Sequence, residues 1–117
     1  MDASPPLVLS EAFNPAAEIF TPHECEIAKA IDSSWKRADD VPHQIVWLES
    51  AAALFLAVGM RLEHECRGPE THVVAQSSRK MAKLLTDRAV AETRAAGFSC
   101  FDLAEARQAY TMAHRPA

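Results

Sequence analysis

The most informative segment of this 117-residue chain spans residues 45–62 and reads IVWLESAAALFLAVGMRL. One row of mainly apolar side chains recurs there at alternating spacings of three and four, as on one face of an α-helix: Ile45, Leu48, Ala52, Phe55, Gly59, Leu62 and Cys66. A second apolar row runs beside it: Trp47, Ala51, Leu54 and Val58. Because a helix that is apolar around most of its circumference must be covered on several sides, we expect a helix over about residues 42–67 at the centre of the fold or of a dimer.

A shorter helix is predicted before this segment. Thr21 and Glu24 have the spacing of a capping box, and Pro22 suits the first helical turn because its missing N–H would be unpaired there. Ile27, Ile31 and Trp35 recur at four-residue spacing and form its predicted buried stripe. We expect this helix to end near residue 38.

Two more helices are predicted after the central segment. Gly68 and Pro69 end the second helix and start a third, over about residues 70–96, which Gly97 then ends. Ser99, with Asp102 three residues later, opens a fourth helix over about residues 100–115.

Small residues predict how the two long helices pack. The third helix carries alanine at seven-residue intervals, at positions 75, 82, 89 and 96, flanked by Ser78 and Leu85, and Ala52 and Gly59 are small positions on the second helix. Small side chains let helix axes approach to the short end of the usual range of about 8–10 Å. The predicted fold is therefore all-α: a long antiparallel hairpin flanked by two shorter helices. The shorter helices are too short to cover it along its length, so either the arm or a second copy of the chain must complete the cover, and a homodimer is the predicted assembly.

Residues 1–20 are predicted to be an irregular arm, and residues 21–117 a single helical domain. The arm contains prolines and lacks a helical period, yet it is too apolar for a solvated tail. We expect it to fold back on its own domain or to dock on another chain. Six apolar side chains are the candidate partner-binding residues: Leu7, Leu9, Phe13, Phe20, Trp47 and Leu54.

Composition excludes several classes of function. The net charge of −4 argues against a nucleic-acid partner, and 3 glycines are too few for phosphate-binding loops. The apolar run of residues 45–60 is shorter than the roughly 20 residues of a membrane span. No secretory signal is visible and the three cysteines have no close pair, so we expect reduced thiols in a cytoplasm.

The tripeptide His-Glu-Cys occurs twice and raises the question of a metal site. His23, Cys25, His64 and Cys66 are zinc-ligand types, and His72 lies near the second pair in sequence. In the predicted hairpin, however, Cys25 and Cys66 lie roughly 15 Å apart along the helices. We therefore expect no metal and no cofactor, and keep a Cys/His metal sensor as an alternative.

Arg88 and Cys100 are two further candidates for a functional role. Arg88 continues the row of Val74 and Met81 at seven-residue spacing. This position predicts either a polar pocket inside the bundle, as in a small all-helical enzyme or ligand-binding bundle, or an arginine at the edge of the buried stripe. Cys100 starts the fourth helix, where the helix dipole favours a reactive thiolate, but Phe98 and Phe101 favour burial.

The predicted function is a protein-protein interaction module: an adaptor, regulator or inhibitor of another protein that acts through an apolar helical surface. Arginine outnumbers lysine and alanine is abundant, which hints at a GC-rich bacterial genome. Nucleophilic catalysis has little support, because no serine or cysteine follows a glycine elbow.

Overall fold

The structure, a computed structural model, describes residues 8–12, 19–35, 41–65 and 67–113. These residues form four α-helices of 13 or more residues and one short helical turn, and none of them lies in a β-strand. The helices are α1 (Leu9–Ala12), α2 (Pro22–Ser34), α3 (Val41–Glu65), α4 (Pro69–Ala96) and α5 (Cys100–Ala113). The all-α prediction is confirmed. The arm contains a helical turn, α1, that the sequence did not predict.

Local hydrogen bonds set the helix starts where the sequence places them. The Thr21 N–H donates to the Glu24 carboxylate over 2.9 Å, and the Glu24 N–H donates to the Thr21 hydroxyl oxygen over 3.1 Å. At α5, the Ser99 N–H donates to Asp102 Oδ2 over 2.6 Å. Each bond satisfies a donor that lacks a partner within the helix, so both predicted caps are confirmed.

Helix α2 ends earlier than predicted, at Ser34 rather than near residue 38. Its last turn is held by the core: the Trp47 indole N–H donates to the Ile31 carbonyl oxygen over 2.9 Å, and the Trp35 and Trp47 rings pack edge to face at 5.1 Å. Residues 36–40 lie outside the described part of the chain, as does Cys66 after α3.

Helix α3 is the centre of the fold. It packs most extensively on α4, and also on α2 and α5. The α4 residues buried toward this interface are the predicted small positions and their neighbours: Ala75, Ser78, Ala82, Leu85 and Ala89. An added Cβ at Gly59 would lie 3.1 Å from the Ala75 carbonyl oxygen, so the two helices approach closely at this point.

The chain itself covers most of α3. Both predicted apolar rows are buried as far as Leu62, and Cys66 lies outside the described residues. Ala53, Leu56, Ala57 and Met60 are exposed along one side of the helix. By length and composition α3 is long and apolar enough to cross a membrane, unlike the shorter run considered above, and 61% of its most apolar window is buried inside the chain. A core helix of a soluble protein passes the same test.

Candidate functional site

Half of the sequence-predicted partner-binding residues lie inside the chain. Leu9 and Trp47 are almost completely buried, Leu54 is buried, and Phe20 is half-buried. Leu7 and Phe13 lie outside the described residues. Because Leu9, Trp47 and Leu54 already pack in the core of a single chain, the partner surface proposed below does not include them.

The described parts of the arm are tied to the helical domain. The Leu9 N–H donates to Asp32 Oδ1 over 2.7 Å, which joins α1 to α2. Arg61 of α3 donates through Nη2 to the Ile19 carbonyl oxygen over 2.8 Å. These bonds, together with the burial of Leu9, show residues 8–12 and 19–20 folded onto their own domain.

Arg61 also binds the capping carboxylate of α2. It donates through Nε and Nη2 to the two Glu24 oxygens, each over 2.7 Å, and through Nη1 to Glu65. Burial raises the pKa of Glu24, but the hydrogen bonds from Arg61 and Thr21 and the Arg61 charge outweigh burial and lower it. The hydrogen bond to Glu24 in turn raises the pKa of Arg61. This ion pair is structural, because it closes the junction between α2 and α3.

An apolar groove lies between α4 and α5, with α3 as its floor. Its volume is about 670 Å³, within the range of roughly 300–1,000 Å³ typical of ligand sites. Helix α5 packs on α3 and makes few contacts with α4, which leaves the space between them open. We call it the α4–α5 groove. Its apolar lining comes from Ala52, Ala53 and Leu56 of α3, Ala82, Ala89 and Val90 of α4, Phe98 before α5, and Cys100 and Leu103 at the start of α5.

Large apolar side chains are exposed in and beside this groove. Leu56 is 42% exposed and Val90 is 44% exposed, and both line it. Met60, one helical turn beyond Leu56, is 54% exposed. These residues are not among the partner-binding residues predicted from the sequence. The sequence signal for these residues was that α3 is apolar around most of its circumference. Periodicity alone, however, does not say which side of α3 the neighbouring helices leave exposed.

Charged residues stand at the ends and edge of the groove. Arg107 of α5 donates to Glu49 of α3 over 2.9 Å, a hydrogen bond that raises the pKa of Arg107. Arg94 lines the groove from the last turn of α4 and forms no ion pair within the described part of the chain. Beyond the groove, Arg79 binds Glu63, which joins α4 to α3 again. The site can therefore bind an apolar group with anionic flanks.

The predicted pocket around Arg88 is wrong. Arg88 is exposed and pairs with Glu92, one turn further along the same helix, over 3.2 Å. Ala82, Leu85 and Ala89 form the buried face of α4, so position 88 lies at its edge. The structure therefore agrees with the other interpretation of Arg88, an arginine at the edge of the buried stripe.

The alternative metal ligands are not brought together in the described part of the chain. His23, His64 and His72 are exposed, Cys25 is buried, and Cys66 lies outside the described residues. No group of three or more His, Cys, Asp or Glu side chains in residues 8–12, 19–35, 41–65 and 67–113 is placed to hold a metal ion.

The predicted burial of Cys100 is also wrong. Its thiol is free and exposed, and Phe101 beside it is 90% exposed. Leu103 and Ala106 form the buried face of α5, and position 101 is two residues away from Leu103, on the opposite side of the helix. Cys100 lines the groove instead, which makes it a natural reporter of groove occupancy.

Compared with protein-family models, curated proteins and solved structures, the chain matches none of them.

Proposed function

We propose that this protein is an interaction module, an adaptor, regulator or inhibitor, that binds a helix of another protein in the α4–α5 groove. The observation that carries the proposal is the groove itself: apolar, open along one side and bordered by exposed Leu56 and Val90. An amphipathic helix binds such a groove with apolar residues at i, i+3 or i+4, and i+7.

The dimensions support a helix as the occupant. The α4 wall extends from Ala82 to Arg94, or roughly 18 Å at 1.5 Å per residue, which is about three helical turns. Helices α4 and α5 both pack on α3, so a helix between them would cover the part of α3 that forms the groove floor. Binding would remove Leu56 and Val90 from water, and burial of aliphatic side chains is the main favourable contribution in such contacts.

The proposed frame of the groove is an antiparallel hairpin of α3 and α4. Its support is the pairing of Glu63 with Arg79 close to the connecting turn, while Ala52 and Ala82, both further from the turn, line the same groove. Small residues at this interface hold the helices close, so we expect the floor and one wall to be preformed. A preformed site loses less conformational entropy on binding.

A second copy of the chain is the alternative occupant, since the sequence predicts a homodimer. Its support is the exposed side of α3 at Ala53, Leu56, Ala57 and Met60, which the short α5 leaves uncovered. We place the module in a bacterial cytoplasm, on the composition and on the free thiols of Cys25 and Cys100.

The test compares two substitutions on α4. Val90→Asp introduces a charge into the groove wall, whereas Leu84→Asp changes a side chain that is 64% exposed and does not line the groove. Both should preserve the helical circular dichroism spectrum. Protein partners recovered with the wild type and with Leu84→Asp should be lost with Val90→Asp. Equal recovery with both variants would show that the groove is not the binding surface. Sedimentation of the same three proteins identifies a homodimer if Val90→Asp alone lowers the mass.

A further inference from the structure

We infer that the α4–α5 groove selects an acidic amphipathic helix, one whose apolar face is flanked by glutamate or aspartate. This inference rests on the proposed function and specifies the chemistry of the partner. It comes from the distribution of charge around the groove, which differs in sign from that of the whole chain.

The groove edge is basic although the protein is acidic. The chain has a net charge of −4. Three charged residues line the groove, Glu49, Arg94 and Arg107, for a local sum of +1. On α4, Arg79 and Lys83 precede Val90 and Arg94 at spacings that place all four on one side of the helix. Arg79 of this row pairs with Glu63 and Lys83 pairs with Asp87, so Arg94 is the cation that an incoming helix meets without an ion pair among the described residues.

Arg94 and Lys83 are the cations available to a partner carboxylate, because Glu63 already binds Arg79. Arg94 has no ion-pair partner among the described residues, so binding there breaks no existing contact. Lys83 pairs with Asp87 over 3.1 Å, but both side chains are more than half exposed, and such surface pairs contribute little stability. Lys83 can therefore exchange Asp87 for a carboxylate of the partner with little loss of free energy. Arg107 is less available to a partner carboxylate, since it already pairs with Glu49 over 2.9 Å.

A second copy of this chain meets the charge requirement less well. In a two-fold interface the same patch is used by both subunits, and residues near the axis face their own copies. A two-fold axis through the groove would bring the basic edge of α4 close to itself. A nucleic acid would satisfy the cations but would leave Leu56 and Val90 against a charged backbone. Of these occupants, an acidic amphipathic helix matches both the apolar lining and the unpaired Arg94.

The experiment uses the full-length protein and three synthetic helical peptides of about 14 residues, which is the length of the groove plus one flanking residue at each end. All three share one leucine and alanine face, and their flanking positions carry glutamate, glutamine or lysine. Binding is measured by fluorescence anisotropy of the labelled peptide. Protection of Cys100 from alkylation, in a Cys66→Ser background, reports whether the groove is occupied.

The glutamate peptide should bind at least about fivefold more tightly than the lysine peptide at low salt, as expected for one or two surface ion pairs. Raising the salt to roughly 0.5 M should narrow this ratio to about threefold or less by screening. Arg94→Gln should also narrow the ratio of affinities between the glutamate and the lysine peptide. Arg88→Gln is the matched control, since Arg88 is an exposed arginine of the same helix that does not line the groove, and it should leave the ratio unchanged.

The results separate this inference from the proposed function. Equal affinity for the three peptides, with all three weakened by Val90→Asp, would overturn acidic selectivity and leave the helix-binding groove standing. Absence of binding by every peptide, with no protection of Cys100, would overturn both. Protection of Cys100 that grows with the protein's own concentration would assign the groove to a second copy and overturn the inference.

Discussion

Replacement of Gly59 by alanine is expected to destabilise the protein, even though alanine is the better helix former. In an unconstrained helix interior, replacement of glycine by alanine raises the free energy of unfolding by about 1 kcal/mol. At this site, however, the new Cβ would lie 3.1 Å from the Ala75 carbonyl oxygen and 3.1 Å from Cγ of Arg79. The Arg79 side chain can move, but the Ala75 carbonyl is part of a buried helix backbone and moves only if α4 moves.

Overpacking of this kind costs about 1–3 kcal/mol. Subtracting the helix-propensity gain leaves a net loss of about 1 kcal/mol for Gly59→Ala, or a fall of roughly 4 °C in Tm for a domain of this size. Gly59→Val adds two further methyl groups and should cost about 3 kcal/mol. Urea denaturation followed by circular dichroism measures both changes.

The matched control is Ala57→Gly, on an exposed position of the same helix. It should lose about 1 kcal/mol from helix propensity alone, which calibrates that contribution within α3. If Gly59→Ala instead raised the free energy of unfolding by the amount that Ala57→Gly lowers it, then α3 and α4 would not be in close contact at Gly59, and the packing argument would be refuted.

Two further predictions concern the α2 junction. Glu24 has a lowered pKa in the folded protein, so its stabilising contribution is present above its unfolded value of 4.5 and is lost as the pH falls through the lower folded value; Glu24→Gln should therefore reduce the acid dependence of unfolding, whereas Glu26→Gln, on an exposed neighbour, should not. Trp47→Phe removes one of two side-chain donors to the Ile31 carbonyl oxygen, since the Ser34 hydroxyl also donates to it over 2.6 Å, and should therefore cost about 1 kcal/mol in urea denaturation; an unchanged unfolding midpoint would contradict the importance of this bond.

Helix positions were predictable because their signals are local. The Thr21 and Glu24 capping box, the start of α4 at Pro69 and the stop at Gly97 each depend on a few neighbouring residues. Gly97 has a φ of +71°, a left-handed conformation that glycine adopts without strain. The end of α2 was less predictable, since it lies where Trp35 packs on Trp47, a residue of another helix.

The candidate site was mostly not predictable. Trp47 and Leu54 were proposed for a partner surface because α3 is apolar on nearly every side, and the sequence does not say which side its own neighbours cover. Cys100 and Phe101 were expected to be buried because of their type, but α5 buries Leu103 and Ala106 instead. In a short helix with several alanines, more than one face is compatible with packing.

The sequence by itself determined that the chain is helical, where most helices begin and end, and which small residues of α4 face a neighbouring helix. Hydrogen bonding within one or two turns and side-chain periodicity are sufficient for these properties. Tertiary structure alone decided that α5 lies on α3 with little contact to α4, and so that Leu56 and Val90 border an open groove. The physical reason is that packing depends on which of several apolar faces fit one another best, and that comparison involves residues far apart in the chain.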